Sequence, residues 1–130
     1  MKEITVLEKY PVLTLEIGKK DTQYKNIDEI FTYLKTQIEA HPIATYIGEF
    51  DHYSHTTSLE EGKMAEDILD AKNILCCFGK VLLKPEVLAV RPRAIGVAEM
   101  PDSFVVSFME APNPDANAAM KKWVEGIATR

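Results

Sequence analysis

Residues 12–17, VLTLEI, alternate apolar and polar side chains so that Leu13, Leu15 and Ile17 share one face of an extended chain, the pattern of a half-buried strand. Residues 4–8 extend that strand or pair beside it, with Pro11 marking a break or an edge. The period then changes. In NIDEIFTYLKTQIEAHP, Ile27, Ile30, Phe31, Leu34 and Ile38 fall on one helical stripe, which predicts a helix over 27–40. Asn26 is placed to cap it, Glu29 stands at the capping-box position, and Pro42 stops it after His41.

IATYIGEFDHY, 43–53, is rich in β-branched and aromatic residues and predicts a second strand. TSLEEGKMAEDILDA begins with Ser58 and Glu61 in capping spacing, so a shorter helix is expected near 58–70 despite Gly62. NILCCFG is apolar on both faces, as in a strand buried on both sides. KPEVLAV suits a short helix with Pro85 in its first turn. RAIGVAEM and DSFVVSFME form a hairpin across Pro101-Asp102. A final helix is expected over 114–128, capped by Asn113, with Pro114 at its first position and Ala116, Met120, Trp123 and Ile127 as its stripe. This order of elements describes an α+β domain, a mostly antiparallel sheet with the two long helices, 27–40 and 114–128, on one face.

Composition narrows the picture. At 130 residues the chain has the length of a single domain, 1–130, and its 46% apolar and 27% charged content is globular. The net charge of −5 argues against sequence-independent nucleic-acid binding, which requires a basic face. Lys2, Glu3, Glu8, Lys9 and Glu16 interrupt the first twenty residues, and no run of 18 apolar residues occurs, so the expectation is a cytoplasmic protein with no membrane span.

The candidate chemistry is sparse. Asp51, His52 and His55 lie in a stretch dense in hydroxyls. If the strand continues through them, His52 shares the face of Tyr46, Gly48 and Phe50, and His55 points the other way; the pair converges only if the chain turns near Tyr53. Two histidines fall short of the four ligands of a closed zinc site, and the expectation is no bound metal and no cofactor. His52 suits acid/base work near neutral pH, but no second catalytic group is evident. Adjacent Cys76 and Cys77 would point to opposite faces of a strand and are expected to be reduced, buried thiols rather than a redox pair. Arg91 and Arg93 flank Pro92 in the densest positive charge of an acidic chain. Their guanidinium forks suit a carboxylate or phosphate, the rival being surface pairing with Glu86 or Glu99. No phosphate-binding glycine loop, nucleophile elbow, HExxH or CxxC is present.

In order along the chain, the helix at 27–40, FDH at 50–52, the helix expected at 58–71, ILCCFG at 74–79 and FVVSFMEAP at 104–112 resemble the bacterial and archaeal domain-of-unknown-function family number 302. Lys80-Val81 stands where that family has Asn-Pro. The resemblance implies a fold similar to the TATA-binding-protein-like grip, a sheet wrapping a long helix, and homodimers, and it singles out Asp51 and His52. The function expected is a non-enzymatic module for a small molecule, with a small anion near Asp51, His52, His55, Arg91 and Arg93. The alternatives are an enzyme using His52 as acid/base and a metal or haem protein using His52 and His55.

Overall fold

The computed structural model describes all of residues 1–130. Six strands form one antiparallel sheet: β1 Lys2–Val6, β2 Tyr10–Gly18, β3 Thr45–Phe50, β4 Asp70–Cys77, β5 Arg93–Glu99 and β6 Ser103–Met109. Their order across the sheet is β1-β2-β6-β5-β4-β3. Helices α1, Ile27–Ala40, and α3, Pro114–Glu125, pack on one face. A short helix, α2, His52–Ser58, follows β3, and a 3-10 turn spans Pro85–Val90. No helix is long and apolar enough to cross a membrane.

α1 forms as its stripe predicts. The Asn26 side chain accepts the N–H of Glu29, the Glu29 carboxylate reaches back to the N–H of Lys25, and Ile27, Ile30, Phe31, Leu34 and Ile38 are all buried. α3 carries Asn113 as its cap and buries Ala116, Met120, Trp123 and Val124. It ends at Glu125, three residues before the expected 128, with Gly126 as its C-cap; Gly126 lies directly under the Tyr33 hydroxyl, which donates to the Trp123 carbonyl at 2.8 Å, and a side chain at 126 would collide with that ring. Opposite the helices, Ile74, Cys76, Ile95, Val97, Phe104, Val106 and Phe108 complete the core.

The segment after β3 departs from the sequence expectation. The strand stops at Phe50, and helix begins at His52 rather than near 58. Asp51 is the reason: its carboxylate accepts both the N–H and the hydroxyl of Ser54, at 2.9 and 3.0 Å, which nucleates a turn where extended chain was expected. Residues 59–69 form turns and loop, consistent with a weak stripe broken by Gly62. A register shift between Tyr46 and Gly48 further disturbs the alternation of β3. The two longer helices, α1 and α3, cover β4 on one face only. Cys76 is buried, Cys77 is half-buried on the other face, and both are free thiols. Burial pushes the Cys76 thiol up to about 11. Residues 2–6 pair beside β2 through a tight turn in which Leu7 and Glu8 both have positive φ, at 53° and 62°.

Two outcomes are expected. Leu34→Ala should lower stability by about 2–5 kcal/mol in urea unfolding, since Leu34 is fully enclosed; a loss under about 1 kcal/mol would contradict the packing. The paired substitution Leu7→Asn with Glu8→Gly should raise stability by about 1 kcal/mol, because those residues accept the left-handed backbone that Leu and Glu resist. An unchanged or lowered unfolding midpoint would count against that turn geometry.

Candidate functional site

Paired strand residues share a face, so the register defines the side of the sheet away from the helices. One row across it runs Phe50, Asn73, Gly96, Ser107, Thr14. The next rows bring Ala71, Ala98 and Val105 together on one side, and Leu75 and Ala94 on the other. Small side chains thus dominate β4 and β5 where charged, solvated ones would be ordinary. The result is a trough along the central strands. Two contiguous hollows of about 380 and 270 Å³ share Asn73, Gly96 and Ser107. One end is walled by Ala89, Val90 and Pro92, the other by His52, Met64 and Ile68.

The floor carries a few polar groups. The Asn73 amide and the Ser107 hydroxyl flank Gly96 and make no hydrogen bond within the chain; a Cβ at 96 would stand 3.2 Å from Asn73 Nδ2. Lys72 borders the trough, but its ammonium lies with Asp28 of α1 at 2.8 Å.

α2 brings Asp51, His52 and His55 together. His52 and His55, three apart, sit on one helical face with their rings against Phe50, at centroid distances of 5.7 and 5.5 Å. His52 Nδ1 shares a hydrogen bond with Thr56 Oγ1 at 3.0 Å. The chain turns into helix at His52, the condition under which the two histidines converge rather than point oppositely. Ser54's N–H and hydroxyl hold the Asp51 carboxyl below the usual carboxylate range. Its folded value is depressed, so the cap's contribution is present above the unfolded value and is lost as pH falls through the lowered one.

The two arginines are elsewhere. Arg93 faces the helices beside Cys76. It is 9% exposed, and its guanidinium donates to the carbonyls of Val90, Met109 and Glu110 at 3.1, 2.6 and 3.1 Å. Burial draws its pKa below the ordinary arginine value. Arg91 joins it in a separate cleft near Asn113 at the start of α3. The expected common pocket of Asp51, His52, His55, Arg91 and Arg93 does not form: His52 stands at one end of the trough, and the arginines line a cleft that meets its other end. Surface pairing with Glu86 or Glu99 does not occur either: Glu99 binds Lys19 at 2.8 Å, and neither arginine has a carboxylate partner.

His41 is remote from the other histidines. Its Nδ1 accepts the N–H groups of Ile43 and Ala44, and its ring stands edge-on to Phe78 and Trp123. No group of three or more His, Cys, Asp or Glu side chains is gathered where a metal ion could be held.

A family of unknown function, DUF6858, matches residues 1–129. The chain belongs to this family. The family number 302 that the motif order suggested is not the one matched. No curated protein and no solved structure matches the chain.

Asn73, Gly96 and Ser107 were missed in the sequence reading. Their signal was present: Ala94, Gly96 and Ala98 alternate with Ile95 and Val97, which marks a face with neither large apolar nor charged residues. Arg93, by contrast, is a strut. Arg93→Met should cost about 2–4 kcal/mol in urea unfolding, because three carbonyls lose a charged donor. A cost below about 1 kcal/mol would mean that solvent replaces those bonds freely.

Proposed function

We propose that this DUF6858 chain is a non-catalytic, cytoplasmic binding module, and that its ligand is a small, largely apolar molecule with a hydrogen-bonding head group lying in the trough. The observation that carries the reading is the pairing of a small-residue floor with an Asn73 amide and a Ser107 hydroxyl that open onto the trough and have no partner within the chain. Ligand sites are typically concave and mostly apolar, with a few convergent polar groups. The apolar walls, Met64 and Ile68 at one end and Val90 at the other, suit a hydrocarbon body.

His52 at the rim supports selection of the head group rather than acid/base chemistry, for which a second group should converge on the same point. The antiparallel sheet against the long α1 supports a grip-like fold. A homodimer belongs to the same proposal, supported by Ile4, Val6 and Tyr10, which stay exposed beside the trough.

The test is a fragment screen by NMR on labelled protein, using small neutral and weakly acidic apolar molecules. Shifts should cluster on the amides of Ala71, Asn73, Gly96 and Ser107, and Gly96→Val, which fills the floor, should abolish them with the fold intact. A screen without hits, hits that map elsewhere, or hits that survive Gly96→Val would overturn the reading.

A further inference from the structure

Arg93 is enclosed and yet meets no negative charge. Its donors go to backbone carbonyls, which satisfy hydrogen bonds but leave the cation unneutralised. Burying a charge is costly unless an opposite charge accompanies it. Arg91 adds a second cation to the same cleft. It is half-buried and lies over Gly79; its backbone N–H donates to the Leu88 carbonyl, but its guanidinium makes neither a hydrogen bond nor an ion pair within the chain. Glu86, Glu110 and Asp115, on the segments around the cleft, are all exposed and none lines it, and Glu99 pairs with Lys19.

The cleft is a hollow of about 100 Å³ between the 3-10 turn and the start of α3. That is room for about three waters or one compact oxyanion. Asn113 and Ala116, at the N-terminal end of α3, form its far wall, where the helix dipole is positive and the Asp115 carboxylate is exposed outside the cleft. Phe78, Val87 and Val90 close it with apolar surface, which lowers the local dielectric and strengthens any charge pairing there.

We propose that this cleft is a binding site for a small oxyanion, the phosphate or carboxylate group of a metabolite. Arg91 supplies the free guanidinium fork, and Arg93 supplies fixed positive charge. Both oxyanions offer paired oxygens to a planar guanidinium, which a spherical ion such as chloride does not. The cleft meets the end of the trough at Val90 and Arg93, whereas Arg91, Asn113 and Ala116 line the cleft alone, so the deciding readout is taken at those groups.

The experiment uses full-length labelled protein titrated with inorganic phosphate, acetate or sodium chloride at matched ionic strength. The Arg91 and Arg93 Nε–Hε signals and the amides of Ala111, Asn113 and Ala116 are followed by NMR. One of the two oxyanions should give saturable shifts at these groups beyond those of chloride, and the better of the two identifies the head group. Arg91→Gln should weaken apparent affinity by about tenfold to a hundredfold. Val87→Glu, which places a carboxylate inside the cleft, should abolish the response and raise Tm in anion-free buffer. Equal shifts with all three salts, Arg91→Gln binding as tightly as the unsubstituted protein, or Val87→Glu still responding to phosphate or acetate would each overturn the proposal.

Discussion

Phe31, Leu34 and Ile38 of α1 and Met120 and Trp123 of α3 meet Ile95, Val97, Phe104 and Val106 in a single apolar layer, and the rest of the molecule depends on that contact. Two helices can cover only one side of a six-stranded sheet. The side chains that point into the layer are large and fully enclosed. Those that alternate with them along the same strands are released from packing, and their size is open to other uses. The trough exists because β4 and β5 place alanine and glycine at such positions rather than solvated lysine or glutamate.

The sequence made the helical side of this arrangement legible and obscured the other. α1 carries five apolar residues on one stripe, a cap and a stop, so every local signal agreed. β3 carried conflicting signals. Its β-branched and aromatic residues favoured extension through His52, while Asp51 and Ser54 offered a local hydrogen-bonded turn. The turn prevails because satisfying the orphan N–H of Ser54 stabilises a helix start, whereas an edge strand gains little from two more residues. Residues 59–69 were misread for the opposite reason: a capping pattern was present, but no apolar stripe followed to hold a helix against the sheet.

Site residues divide along the same line. Proximity in sequence correctly grouped Asp51, His52 and His55, and correctly grouped Arg91 with Arg93. It could not show that the two groups stand at opposite ends of the trough, because that depends on strand order and on where β3 ends. Asn73 and Ser107 come together through β5, with Gly96 between them, a relation visible only once strand order is known. Arg93 shows how a residue type can mislead: a guanidinium that looks available for ligands is largely committed to tying the 3-10 turn to the end of β6.

The strand order has a kinetic consequence. β2, near the start of the chain, lies between β1 and β6, and β6 is completed only at Met109. The chain's end also returns to its beginning: Thr22 donates to the Ile127 carbonyl, and Asp21 accepts the N–H groups of Thr129 and Arg130. Contacts between such distant segments close large loops before they yield stabilising energy, which slows folding. During synthesis, β2 and α1 emerge with their principal partners still unmade, and the apolar stripe of α1 remains uncovered. The domain therefore reaches its stable form only after nearly the whole chain has left the ribosome, and truncation behind β5 removes not one edge but the middle of the sheet.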